Sequence, residues 1–299
     1  MRYLSVCSGI EAATVAWHGL GWQPAGFSEI EKFPSQVLAH HYPNVTNYGD
    51  MTKFKEWDIG TIDLLVGGTP CQSFSVAGLR KGMADPRGNL ALTYCGILDH
   101  FKPKWFVWEN VPGVLSSGGG RDFGSFLGAV AELGYGFAYR VLDAQYFGVA
   151  QRRRRVFVVG CFGNWQRAAA VLFERESLCR DTKKSEKTKK NDSTKIDASI
   201  VYENHGTDSR IKQVKICPTV TSRWGTGGNN VPLVQQKKVR KLTCKETERL
   251  QGFPDNYTDI QPKGKPTPDG PRYKALGNSM AVPVMKWIGE RINLVENLS

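Results

Sequence analysis

Over the first 160 residues, short apolar runs alternate with stretches of helical period. Residues 3–6, 25–28, 64–66 and 105–108 read as strands, each followed by glycine or a polar residue. A short unit closing at Tyr48-Gly49-Asp50 supplies a further strand between the second and third of these. Late strands are expected over 137–142 and 156–159. The pattern predicts helices over 11–18, 34–40, 90–101 and 126–133, with Pro34 acceptable in a first turn. Such alternation argues for an α/β fold with a doubly wound, mostly parallel sheet and helices on both faces. Ligands in such sheets sit beyond the carboxyl ends of the strands. Chemically capable residues recur there: Gly9, Glu29, Asp50, Cys71 and Glu109 each follow a strand.

The pattern changes after about Phe162. Residues 180–195 are rich in lysine and nearly free of apolar side chains, which predicts a solvated, flexible segment. Short β-like pieces follow, including 219–224, and then a Gly/Asn-rich loop over 225–230. The helical pattern returns from Leu242, and 281–294 reads as a final amphipathic helix. The expected division is one large domain from 1–162 plus 239–299, and a small, mostly β or irregular module over 163–238.

The chain has 299 residues, 40% hydrophobic, enough for a substantial core. Forty Lys and Arg against 28 Asp and Glu give a formal net charge of +12, which points to a polyanionic partner, nucleic acid first. Seven scattered cysteines with no C-x-x-C pair argue against a zinc site and against a disulfide framework, and predict a reduced, cytoplasmic protein. No long apolar run suggests a leader or a membrane span.

The sharpest local signal is Gly68-Thr69-Pro70-Cys71-Gln72, a cysteine at a strand end followed by a glycine-containing basic stretch over 73–89. Alone, it reads first as a small buried cysteine before a surface loop. In isolation Glu109-Asn110 reads as a strand-end turn or a helix cap, and 152–155 as a surface basic patch. Arg153 and Arg155, however, share one face of a strand by its period of two.

Taken together and in order, the motifs resemble the cytosine carbon-5 DNA methyltransferases over nearly the whole chain. They are Gly9, Ser28-Glu29, Gly49-Asp50, Thr69-Pro70-Cys71-Gln72, Glu109-Asn110-Val111, Gln151-Arg152-Arg153-Arg154-Arg155, Arg240-Lys241-Leu242-Thr243 and Gly277-Asn278-Ser279. The resemblance implies a Rossmann-like, S-adenosylmethionine-dependent enzyme whose small module recognises the target. It casts Cys71 as the thiolate that adds to carbon 6 of cytosine, and Glu109 as the partner of ring nitrogen 3 and the exocyclic amine. Arg155 would hold the carbonyl at position 2, and Arg153 the active-site loop.

The cofactor residues it implies are Cys7, Gly9, Ile10, Glu11, Glu29, Ile30, Asp50, Met51, Gly68, Pro70, Asn278 and Ser279. Among them, Glu29 would take the ribose hydroxyls, Ile30 the adenine face and Asp50 its amine, while Asn278 closes the methionine end and the Gly9 turn receives the carboxylate. The first turn departs from the family's Phe-x-Gly-x-Gly: Cys7 stands for the aromatic and Glu11 for the second glycine. Glu11 is therefore expected to face the methionine ammonium. The DNA-contact candidates are Gln72, Ser75, Arg80, Lys81, Arg87, Gln151, Thr219, Val220, Arg223 and Arg240, with Asn229 and Asn230 as further base readers. The 73–89 stretch would close over an extruded base.

The implied products and partners are S-adenosylhomocysteine, methylated double-stranded DNA at a short site, and a cognate restriction endonuclease. The chain would act as a monomer, without metal, in a bacterial or phage-infected cell. A tRNA cytosine methyltransferase on the same scaffold, and a binding protein that has lost catalysis, are the alternatives from other classes. The second should lack Cys71, Glu109 or the arginines, and all are present. Amino-methylating DNA enzymes carry Asn-Pro-Pro-Tyr or Asp-Pro-Pro-Tyr, and neither occurs here.

Overall fold

The structure is a computed structural model and describes residues 1–70, 90–173, 200–205, 210–226, 231–235 and 239–298. Six strands form the main sheet: β1 (Arg2–Val6), β2 (Gln23–Ser28), β3 (Leu64–Gly67), β4 (Trp105–Asn110), β5 (Tyr135–Asp143) and β6 (Arg154–Phe162). Their spatial order is β2-β1-β3-β4-β6-β5. The first four run parallel, whereas β6 is antiparallel to both of its neighbours.

The apolar runs are continuous because both faces of this sheet are covered. Tyr3, Leu64, Val66, Trp105 and Val107 enter one core, together with residues of α1 (Ala12–Trp17), α5 (Trp165–Leu172) and α8 (Val282–Glu296). Leu4, Val6, Leu65, Phe106 and Trp108 enter the other, against α3 (Leu90–Phe101) and α4 (Arg121–Glu132). Trp105 to Trp108 are fully buried, and each contributes on the order of 1.5–3 kcal/mol of transfer free energy. α2 (Lys32–His41) follows β2 at the edge, and its last turn is held where His41 stacks on Tyr257.

A second sheet of four antiparallel strands has the order β10-β9-β7-β8, built from β7 (Ile200–His205), β8 (Arg210–Val214), β9 (Leu233–Gln235) and β10 (Val239–Lys241). α6 (Cys244–Gln251) and α7 (Asp269–Asn278) return the chain to the main body.

Several expectations shift. Residues 48–50 form no strand; one bridge, Phe27 to Asn47, stands there, because the Asn47 side chain takes the Glu29 and Gly49 amides itself. The 219–224 piece is a 3-10 turn over Ser222–Thr226 instead of a strand. α5, beyond residue 162, packs on β5 and β6, and β10, which begins at Val239, is the edge of the small sheet. The segment around 217–226 is no detached module. Cys217, Val220 and Trp224 are buried in the main core. The 3-10 turn lies backbone to backbone on α7, where a Cβ on Gly225 or Gly277 would collide with main-chain atoms across the contact.

Candidate active site

A cleft of about 1180 Å³ opens at the carboxyl ends of β1, β2, β3 and β4. Its wall includes Cys7, Gly9, Glu29, Ile30, Asp50, Met51, Gly68, Pro70, Glu109, Arg153, Arg155 and Asn278. The sheet's topology brings most of these distant residues together, and α7 carries Asn278 to them. Cys71, Gln72, Ser75, Arg80, Lys81 and Arg87 lie outside the described residues, as do Asn229, Asn230 and the 180–195 segment.

The turn that leads to Cys71 is gripped from β4. Trp108 Nε1 donates to Thr69 Oγ1 at 3.0 Å, and Asn110 Nδ2 donates to the Thr69 carbonyl at 2.9 Å. Asn110 Oδ1 in turn accepts from the Val111 amide at 2.8 Å. Thr69 belongs to the strand-end motif read from the sequence, but neither it nor Trp108 had a role there; the adjacency of Asn110 to Glu109 was the only signal for this support.

Glu109 is the penultimate residue of the same strand, 9% exposed, with its Oε1 3.0 Å from Arg155 Nε. Burial raises its pKa above the ordinary carboxylate range, and the charges of Arg155 and Arg153 pull the other way. Gly68 makes room for this carboxylate, since a Cβ there would stand 2.9 Å from Glu109 Oε2. Burial lowers Arg155, and Glu109 opposes the shift.

Arg153 is 2% exposed and reaches across the molecule. Its Nη1 donates to the Val220 carbonyl at 2.8 Å, and Nη2 donates to the carbonyls of Gly277 at 3.1 Å and Ser279 at 2.7 Å. These contacts tie the 3-10 turn and the end of α7 to β6.

Around the first turn, Glu29 Oε2 accepts from the Gly9 amide at 2.8 Å, and Oε1 from the Glu31 amide at 2.7 Å. The Gly9 amide, expected to face an incoming carboxylate, is thus held by Glu29. Asn47 fixes Glu29 from behind by accepting from its amide at 3.0 Å and donating to its carbonyl at 3.0 Å. Ile30 is 74% exposed at the rim. Asp50 lines the cleft while its carboxylate caps the 3-10 turn Met51–Glu56 at the Thr52 amide, 2.9 Å away. The Cys7 thiol packs 3.5 Å from the Met51 sulfur, and burial pushes its pKa up to about 12, so it stays a thiol. Lys274 and Glu31, two further wall residues not anticipated, pair at 3.0 Å.

Five placements correct the sequence reading. Glu11 is 1% exposed and points into the protein beneath the turn, where Ser5 and Thr14 hold it, so it does not face the cleft. Ile10 is fully buried beside it. Gln151 is fully buried: Nε2 donates to the Leu250 carbonyl at 2.9 Å and Oε1 accepts from the Val220 amide at 2.7 Å, so it joins core segments and offers no group to DNA. Val220 has no exposed side chain, and both its peptide groups are taken. Ser279 is 5% exposed, and its hydroxyl donates to the Met280 carbonyl at 3.1 Å. Thr219 donates to the Arg152 carbonyl at 2.6 Å, and Arg223 is exposed on the 3-10 turn. Arg240 makes a two-pronged pair with Glu246 at 2.8 and 2.9 Å. Among the described residues no group of His, Cys, Asp or Glu is arranged to hold a metal ion.

Comparison with known proteins agrees with this arrangement. The family model for the C-5 cytosine-specific DNA methylase matches residues 1–196 and 163–294. A protein of Escherichia phage P1 named DNA N-6-adenine-methyltransferase is 34% identical over 97% of this chain, which spans 61% of that protein's length. The type II methyltransferase M.Bsp6I of Bacillus sp. (strain RFL6) is 32% identical over 91% of this chain and 94% of its own. Among solved structures, a putative DNA modification methyltransferase encoded within an E. coli prophage superposes with a TM-score of 0.66 at 16% identity, covering 99% of both chains, and shares the fold. Its motifs, its sheet and these matches agree that the chain belongs to the C-5 cytosine-specific DNA methylases, enzymes that methylate carbon 5 of cytosine in DNA.

Proposed function

We propose that this chain transfers a methyl group from S-adenosylmethionine to carbon 5 of a cytosine extruded from double-stranded DNA, through a covalent adduct between Cys71 and carbon 6. The observation that carries this reading is the nearly buried Glu109–Arg155 pair beside the turn that leads to Cys71. Cytosine carbon 5 is a poor nucleophile. The pair suits a ring whose nitrogen 3 must be protonated while its carbonyl is held.

The cleft residues fit the methyl donor. Glu29 and Asp50 offer acceptors for hydroxyl and amine groups, and Ile30 offers an apolar face. The cleft volume exceeds the roughly 300–1,000 Å³ of an ordinary small-ligand site, which leaves room for a base as well. Asn278 would hold the methionine end, with Cys7 and Gly9 as the wall beside it. When bound, S-adenosylmethionine supplies an electrophilic methyl group on sulfur.

The chain's own residues do the rest. The Cys71 thiolate adds to carbon 6, and the displaced electron pair moves toward nitrogen 3, where Glu109 delivers its proton. Carbon 5 of the resulting enamine then takes the methyl group. Loss of the carbon-5 proton to solvent restores the ring double bond, expels Cys71 as thiolate and returns the nitrogen-3 proton to Glu109. Arg155 keeps the ring carbonyl in register and orients Glu109. Extrusion is required because a stacked base is inaccessible to such chemistry. The chain acts as a monomer, and the relatives named type II methyltransferases support a place beside a restriction endonuclease.

The name of the phage P1 relative favours a second reading, methylation of the adenine amino group. An exocyclic amine needs no thiolate adduct, so that reading leaves the strand-end cysteine without a role. Incubation of mixed-sequence DNA with S-adenosylmethionine, followed by mass spectrometry of the nucleosides, separates the two. 5-Methylcytosine is expected; N6-methyladenine alone would establish the second reading.

A further inference from the structure

We infer that Glu11 is a positioning residue for the methyl donor, a buried carboxyl brace that fixes the shape of the first cofactor turn. The inference rests on the cofactor reading above. The turn carries positive φ at every second residue, Cys7 at 48°, Gly9 at 57° and Glu11 at 62°. With ψ at 60°, Glu11 lies in the left-handed region, which side-chain-bearing residues rarely adopt and glycine enters freely. Glycine would hold this conformation without cost, so the Glu11 side chain must offset the strain.

It does so through three donors. The Ser5 hydroxyl, on β1 before the turn, donates to Oε1. The Thr14 amide, in the first turn of α1, donates to Oε2 at 3.0 Å, and the Thr14 hydroxyl donates to the same oxygen. Tyr3 Oη meets Thr14 Oγ1 at 2.7 Å and extends the chain of hydrogen bonds. One carboxyl thus joins the strand that enters the turn to the helix that leaves it. The loop between is closed by the Glu11 amide on the Ser8 carbonyl at 3.0 Å, by the Ser8 hydroxyl on the Ser5 carbonyl at 2.9 Å and by Tyr257 Oη on the Ile10 carbonyl at 2.9 Å. No described cation pairs with Glu11, so its place is set by hydrogen bonds. The surface that this brace supports is the cleft wall at Cys7 and Gly9.

Calorimetric titration of S-adenosylmethionine into wild type, Glu11→Gly, Glu11→Gln and Thr14→Val tests the brace. Glu11→Gly removes the backbone strain. It is nonetheless expected to weaken cofactor binding by about tenfold, as loss of a positioning contact does. Glu11→Gln keeps the size and one acceptor, so it should recover part of that affinity, and Thr14→Val should lose affinity in the same direction. At saturating cofactor, kcat should stay near that of the wild type, whereas a merely structural defect would lower kcat and leave Kd alone. Glu11→Gly that folds and binds within about twofold of wild type overturns the proposal. If Glu11→Gly does not fold, Thr14→Val decides, and an unchanged Kd there overturns it. A wild-type chain that binds no S-adenosylmethionine overturns the cofactor reading itself, a result distinct from an intact wild type with indifferent variants.

Discussion

Glu109 sits where burial and charge act in opposite directions, and burial prevails. Its folded pKa lies above its unfolded value, so the folded chain holds this proton more tightly. The stability this contributes is fully present below the ordinary glutamate pKa of about 4.3 and is lost as pH rises through the folded value. In the proposed mechanism this is the proton that nitrogen 3 requires. Single-turnover rates should therefore fall on the alkaline side as Glu109 ionises. Glu109→Gln, whose amide does not ionise, should lose that limb, and Glu109→Ala should cost about a hundredfold or more. An unchanged alkaline limb in Glu109→Gln would assign it to another group. Glu109 and Arg155 were legible because a strand end and a period of two fix where they point. Gln151 was not, because its partners Val220 and Leu250 lie far along the chain and nothing local distinguishes a buried amide from a DNA contact. Glu11 was misread for a related reason: the positive φ values break any regular side-chain period across the turn.

β3 and β4 were readable as strands because both their faces are buried, leaving unbroken apolar runs. The 48–50 unit imitated a strand end, but its backbone partners are taken by the side chain of Asn47. The join between the 3-10 turn Ser222–Thr226 and α7 had no signal beyond scattered glycines. Gln151 and Arg153 hold the two peptide groups of Val220, and Arg153 continues to the carbonyls of Gly277 and Ser279. The segment expected to read DNA and the helix that carries Asn278 are therefore one packed unit. Gly277→Ala places a methyl group against the backbone of Thr221 and Ser222. It should lower stability by about 1–3 kcal/mol, as overpacking does, and thermal denaturation should show a reduced Tm. A Tm equal to that of wild type would mean that the two segments separate freely.

For the whole molecule, a net charge of +12 sets how it meets its substrate. Phosphate contacts release counterions, so log Kobs for DNA should fall linearly with log salt, with a slope of about −0.9 per phosphate neutralised. Fluorescence anisotropy between 50 and about 200 mM salt measures this, and a flat response would remove the electrostatic role of the basic surface. The first four parallel strands and the meeting of their carboxyl ends followed from sequence pattern, whereas the docking of the 217–226 segment did not, because it depends on buried polar contacts between distant residues. The central claim is that Cys71 makes cytosine carbon 5 reactive. Bisulfite sequencing of mixed-sequence DNA treated with S-adenosylmethionine and either wild type or Cys71→Ser tests it most directly. The account predicts protected cytosines at one short recurring sequence with wild type and none with Cys71→Ser; equal protection by both proteins would contradict it.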